Sequence, residues 1–132
     1  MITRRLLTAV FALLLAGSAF ACSKKSEATD TSQAAAKIDT AAAKEMFNTR
    51  CSACHGTSGR GDGPASAALT PKPRNYTDVA WQKSVTDEQI KKTIVYGGAA
   101  VGKSPIMPGS PDLDAKPEVV EGLLQIVRGF GN

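Results

Sequence analysis

Cys51-Ser52-Ala53-Cys54-His55 sets two thiols three positions apart and an imidazole directly after them, at the end of a helical pattern. One turn of helix brings both thiols to the same side. There they can add to two vinyl groups on adjacent edges of a haem while the next residue presents its imidazole to the iron. C-x-x-C-H is the spacing of covalent c-type haem attachment. Two other readings of a cysteine pair fit less well. A thioredoxin-like redox pair belongs in strand-helix-strand surroundings, which this sequence lacks, and zinc needs four ligands from a chain whose only histidine is His55.

Working upstream, Asp39 or Thr40 can cap a helix that carries Ala43, Phe47 and Cys51 at i, i+4 and i+8, so that one face delivers Cys51 to the core. Downstream of His55, the stretch from Gly56 to Asn75 is too rich in Gly and Pro for regular structure beyond one turn around Ala65 to Leu69. Thr77 to Lys83 reads as a short helix that buries Trp81. Thr86-Asp87-Glu88-Gln89 fits a capping box that opens a helix with Ile90, Ile94 and Val95 inward, ending at Gly97-Gly98. A last helix runs from about Pro117 to Arg128, with Val120, Leu123, Leu124 and Val127 at helical spacing and proline tolerated in the first turn. Gly122 within it marks either a close helix crossing or a plain surface position. No run alternates apolar and polar residues with strand spacing.

The first 21 residues carry a secretory leader pattern: Arg4 and Arg5, an apolar run from Leu6 to Leu15, and Ala19-Phe20-Ala21. That run is about half the length a membrane-spanning helix needs, and no later segment is long or apolar enough, which excludes a polytopic membrane protein. The formal charge is +4, with 16 basic against 12 acidic residues, and two of the basic ones lie in the leader, so charge gives no case for nucleic-acid binding. Residues 22–37, rich in Ser, Thr, Lys and Ala, read as a flexible tether. The domain proper is 38–132. Its aromatic content is low and its core correspondingly thin, so a cofactor is expected to fill the middle.

Cys22, the third of three cysteines, has two readings. Ser18-Ala19-Phe20-Ala21-Cys22 satisfies a permissive lipobox, and Ala19-Phe20-Ala21 also satisfies ordinary signal cleavage. The odd cysteine and the tether behind it favour a lipidated Cys22.

An iron bound by His55 needs a sixth ligand or an open face. The chain offers no second histidine, Met1 leaves with the leader, and Met46 precedes Cys51 on the same helix, so it cannot reach the opposite haem face. Met107, in Ser104-Pro105-Ile106-Met107-Pro108-Gly109, has the reach, its alternative role being to fill a core gap.

Taken together, the helix running into CSACHG, the GDGP loop, LTPKPRN, a Trp, a GG-containing turn, IMPG and a final helix ending VRGFG resemble a small monohaem class I cytochrome c over about Thr40 to Phe130. The resemblance implies an all-α fold, three to five short helices wrapped around one covalently bound haem c, with His55 and Met107 as iron ligands and one-electron transfer as the function. It also implies that the Pro64 carbonyl supports His55, and that Arg74, Tyr76 and Trp81 hold a haem propionate. Ala42 and Ala43 stand where the family commonly has a packing glycine, and Leu124 where it commonly has an aromatic. Lys72, Lys83, Lys91, Lys92 and Lys103 either frame a docking face or are simply solvated. The expected partners are a redox protein donor and acceptor, such as a quinol-oxidising complex and a terminal oxidase or reductase, on the periplasmic side of a bacterial membrane. The rival functions are a peroxidase-like or gas-binding haem protein with a labile sixth ligand, and a tethered subunit of a larger respiratory complex. Neutral thioether ligation points to a carrier of positive potential and not to an enzyme.

Overall fold

Asp39 opens the first helix of the computed structural model, which describes residues 38–132; the leader, the tether and Cys22 lie outside the described residues. The Asp39 carboxylate accepts from the Ala42 N–H at 2.9 Å and so satisfies a donor in the first turn of α1 (Thr40–Met46). The rod continues through a π-helical turn, Phe47–Cys51, into α2 (Ser52–His55). The sequence pattern contains the reason for that turn. Ala43, Phe47, Cys51 and His55 recur every four residues, and each such step overshoots a full α-helical circle by about 40°. A regular helix would spiral them off the core, whereas the wider π turn, with the Ser52 N–H bonded to the Phe47 carbonyl, takes back part of the drift. Ala43, Phe47 and His55 are buried and Cys51 is half-buried. The Thr49 hydroxyl donates to the Glu45 carbonyl at 2.8 Å and the Ser52 hydroxyl to the Asn48 carbonyl at 2.7 Å, satisfying acceptors along the widened turn.

α3 (Val79–Ser84) starts later than the sequence pattern predicts, because Asp78 is the cap: its carboxylate accepts from the Ala80 and Trp81 N–H groups. Thr77 instead closes an Asx turn on Asn75. Trp81 is half-buried rather than enclosed. α4 (Asp87–Tyr96) carries the full capping box, Thr86 accepting from the Gln89 N–H and Gln89 accepting from the Thr86 N–H. Ile90 and Val95 are buried and Ile94 is half-buried against them. α5 (Pro117–Gly129) packs on both α1 and α4. Among the described residues there is no strand, and short 3₁₀ turns at Pro64–Ala68, Gly98–Val101 and Pro111–Leu113 shape the connections.

The core lies where α5 crosses α1. Val119, Val120, Leu123, Leu124 and Val127 meet Phe47, Ile90, Val95 and Leu113, with Leu113 and Leu123 fully enclosed. Gly122 is the crossing point. A Cβ there would fall 2.6 Å from the Ala43 Cβ and 3.1 Å from the Asp39 carbonyl oxygen, so the helices can approach only because one side chain is missing. The glycine stands on α5 and the alanine on α1. Gly122→Val is therefore expected to lower stability by about 3 kcal/mol and Tm by more than about 10 °C. Thermal unfolding checks this, and Ala43→Gly in the same chain should restore much of the loss by reopening the space.

Candidate functional site

α2 ends on His55, and the loop behind it is tied back at once: the Gly61 N–H donates to the His55 carbonyl at 2.8 Å and the Gly63 N–H to the Cys54 carbonyl at 3.1 Å. These bonds fix the C-terminus of a single-turn helix that could not hold itself. Cys51 and Cys54 emerge from it as free, half-buried thiols. Burial pushes the Cys51 thiol up, Arg50 opposing and the neighbouring Cys54 reinforcing the shift, so Cys51 stays protonated at neutral pH.

His55 is 6% exposed, and both ring nitrogens are engaged. Nδ1 lies 3.2 Å from the Arg74 carbonyl oxygen and Nε2 lies 3.1 Å from the Tyr76 hydroxyl. A carbonyl can only accept, so Nδ1 carries the proton. Burial pulls the ring below the usual histidine range, with the Nδ1 bond to Arg74 pulling the other way, which favours the neutral form. Nε2 is then a lone-pair acceptor, and Tyr76 donates to it. Burial and the two nearby thiols raise the Tyr76 phenol far above its ordinary value, so it remains a donor. This tautomer is the one a metal requires: Nδ1–H anchored by an outer acceptor and Nε2 free to bind.

The Tyr76 O–H takes the Nε2 lone pair, the same one His55 would offer to a metal. The Tyr76 ring stacks on His55, centroids 4.5 Å apart and planes 13° from parallel, and it also meets Trp81 at 5.6 Å and Phe130 at 6.2 Å. The carbonyl that holds Nδ1 belongs to Arg74, and this corrects the expectation that Pro64 would supply it. Pro64 instead opens the 3₁₀ turn Pro64–Ala68 and is exposed. Arg74, Tyr76 and Trp81 do cluster: the Arg74 guanidinium sits 5.7 Å from the Trp81 ring centre and 3.4 Å from Asp78.

Met107 is half-buried in a loop clamped to the end of α4. The Gly98 N–H donates to the Met107 carbonyl at 3.0 Å, and the Ser110 N–H to the Ile94 carbonyl at 3.0 Å. Gly97 has φ 82° and lies so close that a Cβ would meet the Met107 carbonyl oxygen at 2.9 Å; only glycine serves there. Met46 packs into the core from α1. Of the lysines, Lys72 is occupied, donating to the Ser66 and Ala67 carbonyls at 2.9 Å, and Lys91 pairs with Glu121 at 3.6 Å, whereas Lys83, Lys92 and Lys103 are exposed.

The donor set tests which group these residues suit. Among the described residues, no three His, Cys, Asp or Glu side chains gather as a bare metal ion would need. Two thiols on one helical turn beside a single imidazole in its ligand tautomer fit a haem bound by two thioether bonds and one nitrogen. No described helix is long and apolar enough to cross a membrane.

Sequence reasoning did not find the Arg74 carbonyl, since a main-chain acceptor has no signature, or the stacking of Tyr76 on His55. The profile of one family, Cytochrome c, matches residues 40–119, more than half of the 132 residues. No curated protein and no solved structure matches the chain.

Proposed function

The chain belongs to the cytochrome c family, and from that premise we propose that it is a one-electron carrier whose haem is attached through Cys51 and Cys54 and ligated by His55 and Met107. Covalent haem c is the cofactor of this family; when bound, it supplies reversible one-electron uptake at its iron. The observation that carries the residue assignment is the state of His55, a neutral ring protonated on Nδ1 beside two free thiols. Each thiol would add its S–H across one vinyl double bond, leaving a thioether and no by-product. The Arg74 carbonyl keeps the His55 ring oriented and makes Nε2 a better donor. Met107, on a loop held by Gly97 and Gly98, would supply a neutral thioether that favours the ferrous state and raises the potential.

Partners on this reading are redox proteins, a quinol-oxidising complex on one side and a terminal oxidase or reductase on the other. The reading is tested by potentiometric titration of the full-length protein under carbon monoxide. A reversible one-electron wave at positive potential, with no carbon monoxide complex, supports a carrier. Rapid carbon monoxide binding by the wild-type protein would favour a gas-binding or peroxidase-like role instead.

Place in the cell is part of the same proposal: export to the periplasmic side and anchoring through a lipidated Cys22, since two or more acyl chains hold a protein on a bilayer where one does not. Cys22→Ser is expected to move the cytochrome from the membrane to the soluble fraction with an unchanged spectrum. If wild-type protein is already soluble, with unmodified Cys22 at its N-terminus, the anchor is wrong and the carrier stands.

A further inference from the structure

The segment that holds His55 is itself held by a side chain outside the motif. Gln82, half-buried on α3, donates through Nε2 to the Tyr76 carbonyl at 2.7 Å and to the Val127 carbonyl at 2.8 Å. Its Oε1 accepts from Arg128 at 2.9 Å. All three bonds agree on one amide orientation, because a flipped amide would set an oxygen against two carbonyls and an NH₂ against a guanidinium. The main chain of Gly131 passes close beside this amide: a Cβ there would fall 2.6 Å from the Gln82 Cγ.

Arg128, in the last turn of α5, sets Gln82 in turn. Its guanidinium also donates to the Gln82 carbonyl at 2.7 Å, to the Val85 carbonyl at 2.8 Å, and to Asp87 through Nε and Nη2. Every face of this planar fork has an acceptor, so its orientation is fixed.

We propose that Gln82, oriented by Arg128, is a positioning residue for the iron-binding histidine, acting through the backbone of Arg74 to Tyr76. The Tyr76 N–H is held by the Gly59 carbonyl at 2.7 Å and the Tyr76 carbonyl by Gln82, so both sides of this residue's main chain are fixed. The Arg74 carbonyl that anchors Nδ1 lies two residues before it, and the ring that stacks on His55 is its own side chain. Removing the Gln82 bond frees one of those constraints, and the Nδ1–H bond lengthens or wanders. The ring then donates less electron density to the metal, the ferric state loses support, and the potential rises. The proposal rests on His55 being the axial ligand.

Gln82→Met tests it in the full-length haem-loaded protein, because methionine matches the volume and removes every amide hydrogen bond. The expected result is unchanged covalent haem content, a displaced His55 Nδ1–H proton resonance, at least tenfold faster solvent exchange of that proton, and a higher midpoint potential. Gln82→Glu, which keeps the acceptor for Arg128 and loses both donors, should move the same signals. Asp87→Asn loosens the guanidinium that orients Gln82, so it should shift the His55 resonance and the potential in the same direction and by less than Gln82→Met does. If Gln82→Met and Gln82→Glu lower Tm and leave both signals unmoved, Gln82 merely staples α3 to α5 and the proposal is overturned. A wild-type protein without an imidazole-ligated haem overturns the functional reading, a result told apart from silent Gln82 variants by the wild-type spectrum alone.

Discussion

Cys51→Ala combined with Cys54→Ala is expected to abolish covalent haem and, with it, cooperative folding, a loss of more than about 5 kcal/mol that matches the lower end of a whole domain's stability. The size of the effect follows from how little else holds the chain. The buried apolar residues cluster where α5 meets α1 and α4, and the ring stacked on His55 is that of Tyr76. The segment from Gly56 to Tyr76 is held by main-chain bonds, one 3₁₀ turn, the Lys72 ammonium, and the Gln82 amide and buried ring of Tyr76 at its end. A covalently held cofactor supplies the missing apolar contact and couples binding to folding. Circular dichroism and thermal unfolding of the double variant read this directly. A cooperative transition at the wild-type temperature would show that the polypeptide core suffices on its own.

Met107→Ala is the second large effect. On the proposed ligation by His55 and Met107, it should open the iron to carbon monoxide or cyanide, lower the midpoint potential through loss of the neutral sulfur, and reduce stability by about 2 kcal/mol through loss of the loop's bond to the iron. Met46→Ala is the control: Met46 packs into the core from α1, so its loss should lower Tm and leave the iron closed. Carbon monoxide difference spectra of the two variants decide between them, and the reverse pattern would transfer the ligand role to Met46.

The helices were legible wherever local chemistry dictates them. Thr86 and Gln89 announce α4 because a capping box satisfies two orphan donors within four residues, and Gly97 ends it because the chain must turn into a positive φ. The apolar spacing of α5 was equally plain. Gly122 was ambiguous in the sequence, since only the approach of Ala43 distinguishes a crossing from an exposed glycine. The π turn had a signal, the four-residue recurrence of Ala43, Phe47, Cys51 and His55, but its meaning depends on a tertiary surface that the pattern does not show. At the site, side-chain identity located both thiols and the imidazole. What it could not locate was the tautomer of His55, because the Arg74 carbonyl fixes it and every residue has a carbonyl. Gln82 and Arg128 were hidden for a related reason: each is unremarkable on its own helix, and they meet only through chain closure.

The most direct test of the central claim is the intact mass of the full-length protein after denaturation and alkylation of free thiols. A carrier with thioether-bound haem should retain the mass of one haem on each chain, with Cys51 and Cys54 protected from the alkylating reagent. A polypeptide stripped of haem, with both thiols alkylated, would contradict it.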